Sequence, residues 1–181
     1  MKPLIKGIMI AAGIVLLLHT VLQKTRFSYY NPIFQPFSTR LNAEKLLLEV
    51  GDTYQLRPQA LNKRVSYKSS NFRIVDVMPS GKIYAKAVGT AIITASGKSG
   101  KGQCKVTVIS ISSDKLSLTV GESTKLYIKG SNKRVKWSCN SKIAIVDKKG
   151  VVKAILPGTA TITATIGGKE LECNVYIKNI P

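Results

Sequence analysis

The sequence predicts an all-β protein built of two tandem antiparallel β-sandwiches, preceded by one N-terminal apolar segment. Three observations support this. The second half of the chain repeats the first at a spacing of roughly 70 residues. Each repeat alternates apolar and polar residues with period two, and turn residues recur about every 8–12 residues. At 181 residues, the chain has room for two small sandwiches of about 70–100 residues each.

The N-terminal segment predicts a membrane anchor or a signal peptide at residues 1–23. Residues 7–23 carry no formal charge and lie between Lys6 and Lys24. A run of this length is at the lower limit for spanning a bilayer. No Ala-x-Ala-like cleavage site follows it, so we favour an uncleaved anchor over a cleaved signal peptide or a buried helix. His19 is then an interfacial side chain rather than a proton carrier.

Residues 24–40 are predicted to be a juxtamembrane stalk. Three of the chain's four phenylalanines and two tyrosines lie here. Such rings are favoured at the membrane–water boundary, and Pro32 and Pro36 argue against a continuing helix. The alternative is that these aromatic side chains pack on the first sandwich.

The internal repeat places the two sandwiches at residues 41–109 and 110–181. The matches occur in the same order in both halves, which excludes chance similarity. The matched pairs include Leu46 with Leu116, Asp52 with Glu122, Val65 with Val135, Tyr67 with Trp137, Asp76 with Asp147, Gly81 with Gly150, Gly89 with Gly158, and Cys104 with Cys173.

The pattern within each repeat indicates about seven short strands. Residues 159–165 alternate threonine with Ala160, Ile162 and Ala164, which places the three apolar side chains on one face. Tyr67 and Trp137 are predicted to be core aromatics, with a surface binding role as the alternative. The junction around residues 108–113 is short and lacks glycine, which favours limited flexibility between the sandwiches.

Three cysteines allow one structural hypothesis. Cys104 and Cys173 match each other, whereas Cys139 has Ser69 as its counterpart. An intradomain disulfide between Cys139 and Cys173 would leave Cys104 free, and the alternative is three small buried apolar residues. No cofactor and no metal site are predicted, because no C-x-x-C pair occurs and His19 is the only histidine.

Enzymatic chemistry is not expected, and no catalytic residues are assigned. A Ser-His or Cys-His pair requires a histidine outside the N-terminal segment. The carboxylates Asp52, Glu122, Asp76 and Asp147 lie at turns or strand ends in matching positions of both repeats, which indicates a structural role such as turn hydrogen bonding. We also expect no small-molecule substrate.

The net charge of +19 is unusual and evenly distributed. The excess is about +5 in residues 1–40 and about +7 in each repeat. A nucleic-acid-binding protein more often concentrates its charge in one patch, so no nucleic-acid partner is expected. An even basic coat suits anionic cell-wall polymers or lipid head groups, and the alternative is solubility alone.

The repeat resembles the bacterial immunoglobulin-like domain of group 2, the module of intimin- and invasin-type adhesins and many other surface proteins. The resemblance covers about 140 residues and is stronger in the second repeat, because Tyr67 replaces the tryptophan and Ile92 interrupts the threonine ladder in the first. The matching motifs are Leu116-x-Leu-x-Val-Gly-Glu122, Val135-x-Trp-Ser138, Ile145-Val-Asp147, Gly150-Val-Val152, Gly158-Thr-Ala-Thr-Ile-Thr-Ala164 and Cys173-x-Val175.

This resemblance implies an immunoglobulin-type sandwich, extracellular placement, and a role in adhesion, cell-wall association or spacing. We therefore expect a membrane-anchored, non-catalytic module of a bacterial cell surface, either a binding or spacer unit or the accessory subunit of a surface complex. Its predicted partners are the membrane, through the N-terminal helix, and a surface protein or an anionic cell-wall polymer. The alternatives are a short adhesin for host or neighbouring cells and a cell-wall-associated scaffold. If the N-terminal segment is cleaved, the protein is secreted.

Overall fold

The structure is a computed structural model and describes residues 40–59, 64–98 and 100–179. The predicted N-terminal helix at 1–23 and all of the predicted stalk except Arg40 lie outside the described residues. Within the described ranges, no helix long and apolar enough to cross a bilayer is found. The described part of the chain is all β, as the sequence predicts.

Seven strands form the first sandwich within the described residues. Their short, alternating sequences present small or branched apolar residues to one side, which suits a pleated sheet with one buried face. The strands are β1 (Lys45–Glu49), β2 (Thr53–Gln55), β3 (Val65–Ser69), β4 (Val75–Val77), β5 (Lys82–Ala85), β6 (Gly89–Gly97) and β7 (Gly100–Ile111).

The second sandwich repeats this set and adds one two-residue strand. Its strands are β8 (Lys115–Thr119), β9 (Ser123–Lys125), β10 (Ile128–Lys129), β11 (Lys136–Cys139), β12 (Ala144–Val146), β13 (Val151–Ala154), β14 (Gly158–Ile166) and β15 (Lys169–Lys178). The extra strand, β10, pairs with the end of β7 and therefore links the two halves of the chain.

Each half has a larger and a smaller sheet with equivalent strand orders. The first half has β1-β7-β6-β3 over β2-β5-β4, and the second has β11-β14-β15-β8 over β12-β13-β9. The expectation of purely antiparallel sandwiches is wrong at one pairing in each half. β1 runs parallel to β7, and β8 runs parallel to β15. Alternation identifies a strand but not its direction, so the sequence pattern alone does not reveal this pairing.

The two cores come from the alternation predicted for the long hairpin strands. In β14, Ala160, Ile162 and Ala164 are buried as expected, while the intervening threonines remain partly exposed. In β6, Ala91, Ile93 and Ala95 take the same places. Each cluster of buried side chains draws on both of its sheets, so each half has a sandwich core of its own.

The structure confirms most of the repeat but shifts one part of it. Asp52 and Glu122 are equivalent, because each carboxylate accepts a hydrogen bond from a backbone N–H three residues earlier. The predicted match of Asp76 with Asp147 is wrong. Asp76 lies within β4, paired with Tyr84 of β5, whereas Asp147 follows the end of β12 and has Met78 as its counterpart.

The reason for the shift is that the first repeat has one more residue between β3 and β4 than the second has between β11 and β12. The carbonyl of Ile74 accepts hydrogen bonds from two consecutive N–H groups, at 2.8 and 3.2 Å. The carbonyl of Ile143 does the same, at 2.8 and 3.1 Å, so Ile74 and Ile143 are equivalent. Sequence similarity around the Ile-Val-Asp motif therefore points to the wrong register.

Candidate functional site: the domain junction and a basic groove

The two predicted core aromatics lie half-buried at the edges of their cores rather than at the centres. Tyr67 pairs with Ala95 and donates a hydrogen bond from its hydroxyl to the carbonyl of Leu56, at 3.3 Å. Burial raises the pKa of Tyr67. Trp137 takes the equivalent place opposite Ala164. Both rings pack on a glycine with positive φ, Gly81 for Tyr67 and Gly150 for Trp137.

The three cysteines are free, and the predicted bridge between Cys139 and Cys173 is not formed. Both residues pair with Ile162, Cys139 from one side of β14 and Cys173 from the other. Their backbones are therefore two strand spacings apart, about 10 Å, and a disulfide requires Cα atoms within about 7 Å. The thiol of Cys139 instead donates to the carbonyl of Ser141, at 3.1 Å. Burial raises the pKa of Cys173, and of its counterpart Cys104, to about 11.

Asp147 and Asp76, two of the predicted structural carboxylates, serve a turn and an ion pair. Asp147 Oδ1 accepts hydrogen bonds from the backbone N–H groups of Lys149 and Val151, both at 2.8 Å. Asp76 forms an exposed ion pair with Lys86, at 3.0 Å. The hydrogen bond from Lys86 and a second one from the N–H of Val77 lower the pKa of Asp76. No group of three or more potential metal-ligating side chains is found among the described residues.

The junction between the sandwiches is a continuous strand rather than a linker. β7 extends from the first core through the predicted boundary at 109/110, and Ile109 and Ile111 are buried in the second core. β10 pairs with this extension, aligning Ile128 with Ile111. Leu47 of β1 also packs against the second core. Its Cδ2 lies close to Gly167, because a Cβ added to Gly167 would be 2.9 Å from this atom. Apolar contacts and strand pairing therefore join the two sandwiches.

An ion pair crosses this junction, between Lys169 Nζ at the start of β15 and Asp52 Oδ2 in the turn after β1. Burial acts to raise the pKa of Asp52. The hydrogen bonds from Lys169 and from the Glu49 N–H, together with the charge of Lys169, outweigh burial, so the pKa of Asp52 is lowered. The pKa of Glu49 is raised, first by burial and then by the negative charge of Asp52. The positive charge of Lys169 acts in the opposite direction but is outweighed. No feature of the sequence pairs Asp52 with Lys169, because 117 positions separate them.

The second sandwich has a groove of about 440 Å³ lined by four basic side chains. Lys133 and Arg134 come from the loop before β11, and Lys148 and Lys149 come from the turn between β12 and β13. Trp137 and the exposed Tyr127 contribute aromatic walls. None of the four cations has a carboxylate partner in the part of the chain that the structure describes.

Sequence reasoning did not identify this groove, although one signal was available. In the first repeat, the turn positions equivalent to Lys148 and Lys149 are Pro79 and Ser80. The two lysines are therefore a difference between otherwise matching repeats.

Comparisons with known proteins give one relative and several distant structures. An uncharacterized protein of Clostridium acetobutylicum is 34% identical over 160 residues, covering 77% of this chain and 16% of that protein. The chain thus spans about a sixth of its relative's length. Domains 1–6 of the surface layer protein SbsC match at 21% identity, covering 65% of this chain and 20% of that one, with a TM-score of 0.33. Human protocadherin-24 EC1-2 matches at 13% identity, covering 78% of this chain and 98% of that one, with a TM-score of 0.31.

The family comparison agrees with the resemblance carried by the second repeat. The model of the bacterial Ig-like domain, group 2, matches residues 105–175, which run from the last strand of the first sandwich through most of β15. The match includes Trp137 and Cys173. Residues 105–175 of this chain are therefore similar to the bacterial Ig-like domain of group 2.

Proposed function

We propose that this chain is a non-catalytic spacer and binding module of a bacterial cell surface, in which the first sandwich holds the second in a defined orientation. The observation that carries the proposal is the junction, where β7 enters the second core and β10 pairs with it. The similarity of residues 105–175 to the bacterial Ig-like domain of group 2 supports surface placement, and the predicted anchor at residues 1–23 would place the two sandwiches next to the membrane.

The junction supports a rigid spacer because several kinds of contact act together across it. Leu47 packs on the second core, and Asp52 pairs with Lys169 across the junction. On its two sides, the N–H of Val50 donates to the carbonyl of Ile109 at 3.1 Å within the first sandwich, and the N–H of Ser112 donates to the carbonyl of Tyr127 at 2.8 Å within the second. A flexible linker would leave such backbone groups to water. Here, reorienting the sandwiches requires breaking strand pairing and exposing apolar surface, so the two units move as one body.

Limited tryptic cleavage tests the rigid junction. We compare the full chain with a Lys169→Met variant that also carries Leu47→Ser, and with Lys86→Met as a matched control. The control removes an Asp–Lys pair within the first sandwich. The junction variant should be cleaved between the sandwiches about tenfold faster, because proteolysis follows the population of opened molecules. Equal cleavage rates for all three proteins would refute rigid coupling.

Surface placement has its own test in native cells. A membrane-impermeant amine-reactive crosslinker is added to intact cells and, separately, to lysed cells, and linked peptides are identified by mass spectrometry. Lysines of residues 41–181 should react in intact cells. Reproducible links to one membrane or surface protein would identify the chain as an accessory subunit. Reaction only after lysis would refute surface placement.

A second candidate function is association with anionic cell-wall polymers, which the net charge of +19 favours. Attraction between a basic coat and a polyanion weakens as salt shortens the Debye length, from about 10 Å at 0.1 M to about 3 Å at 1 M. Binding of the full chain to purified cell walls should therefore fall as salt rises. Binding that does not change with salt would refute this mechanism.

A further inference from the structure

The basic groove of the second sandwich concentrates charge that the fold does not require. Lys133, Arg134, Lys148 and Lys149 line one groove, and no acidic side chain of the described part of the chain lines it with them. Like charges held together repel one another and lower stability. The equivalent turn of the first sandwich contains Pro79 and Ser80 and still closes on Gly81, as its counterpart closes on Gly150. The lysines are therefore not needed to form the turn.

Local structure fixes the backbone of the turn that carries Lys148 and Lys149. Asp147 Oδ1 accepts the N–H groups of Lys149 and Val151, which closes the turn that carries both lysines. Gly150, with φ of +82°, lies against the Trp137 ring and lets the turn approach it. The groove is therefore bounded by a hydrogen-bonded turn and a packed aromatic ring, and such pre-organisation lowers the entropic cost of binding.

We propose that this groove binds the phosphodiester groups of an anionic polyol or glycan polymer. Four cations that have no carboxylate partner among the described residues match the repeated negative charges of such a chain. A groove of about 440 Å³ accommodates a few units of a flexible chain. The groove is open to solvent, so a strand-like ligand can lie along it, and Trp137 and Tyr127 offer aromatic surface to its carbon backbone. The choice of a wall-type polymer over a nucleic acid rests on the surface placement proposed above.

Trp137 makes the groove directly observable, because it is the only tryptophan of the chain. The full chain is titrated with poly(glycerol phosphate), with inorganic phosphate, and with a single-stranded oligodeoxynucleotide of equal charge, while tryptophan fluorescence is recorded. The test variant carries Lys148→Ser and Lys149→Ser. The matched control carries Lys142→Ser and Lys178→Ser, which removes the same charge from positions that do not line the groove.

The expected result is a saturable change in Trp137 fluorescence with poly(glycerol phosphate). The affinity for this polymer should be at least about tenfold lower in the groove variant and within about twofold of wild type in the control. Inorganic phosphate should bind far more weakly, since it occupies only one contact. An equal loss of affinity in both variants would show that binding depends on the overall positive charge, and it would overturn the proposal that the groove is the binding site. Tighter binding of the oligonucleotide, or no fluorescence change with the polymer, would overturn the ligand assignment. These outcomes are independent of the intact-cell test, so each proposal fails separately.

Discussion

Gly150 is the position where one added methyl group tests the packing of the second sandwich. Its φ of +82° lies in the left-handed region, and a Cβ there would be 2.3 Å from the carbonyl oxygen of Leu126 and 3.0 Å from the Trp137 ring. The Leu126 N–H also donates to the carbonyl of Gly150, at 2.8 Å, so neither segment can withdraw without weakening that bond. We predict that Gly150→Ala strongly destabilises this sandwich.

The magnitude follows from two contributions, and Gly121 separates them. Gly121 has a φ of +90°, but its Cβ would meet nothing within 4 Å. Gly121→Ala therefore adds only the left-handed strain, about 1–2 kcal/mol, partly offset by the lower entropy of the unfolded chain. Gly150→Ala adds overpacking against a backbone oxygen, typically about 1–3 kcal/mol more. We expect a loss of about 3 kcal/mol for Gly150→Ala and about 1 kcal/mol for Gly121→Ala.

Urea unfolding followed by Trp137 fluorescence measures both losses, since the single tryptophan packs on Gly150. The midpoint for Gly150→Ala should fall well below that for Gly121→Ala. If the two variants lose the same free energy of unfolding, within about 0.5 kcal/mol, the Leu126 carbonyl moves aside freely and the reasoning from close contact is refuted.

The remaining predictions concern the junction ion pair and the thiols. Because the pKa of Asp52 is lowered from 3.8, its pairing with Lys169 stabilises fully above about pH 4, and this contribution is lost as pH falls through the lowered value. Asp52→Asn should remove this pH-dependent loss of stability, which is below about 1 kcal/mol for a partly exposed pair. Urea unfolding of both proteins from about pH 2 to 6 measures the difference between their free energies of unfolding. Identical pH profiles for the two proteins would contradict the prediction. At about pH 8, a thiol reagent should modify Cys139 promptly but Cys104 and Cys173 slowly, because burial raises the pKa of both to about 11. In denaturant all three should react, and a count below three would contradict the free cysteines.

Much of the fold could be predicted from local pattern. Alternation identified the buried face of β14, and the repeat correctly paired Tyr67 with Trp137 and Asp52 with Glu122. These features are visible in sequence because period two and turn geometry act over a few residues. The same locality explains the error at Asp76, where a short similar motif outweighed a one-residue difference in the preceding loop.

The candidate site was less predictable, because its residues meet only through the fold. Lys133 and Lys148 reach one groove from different loops, and Asp52 meets Lys169 across the junction. The disulfide hypothesis failed for the same reason, since matching positions along the chain do not reveal that β14 separates Cys139 from Cys173.

The sequence by itself determined that this chain is a pair of similar β-rich units with a strongly basic surface, because composition, repeats and alternation are properties of the chain alone. Only the tertiary structure decided that β1 and β8 pair in parallel with the last strands of their sandwiches, that β7 belongs to both cores, and that four cations share one groove. Strand direction, register and contacts between distant residues depend on how all the strands pack together, and no local pattern encodes that arrangement.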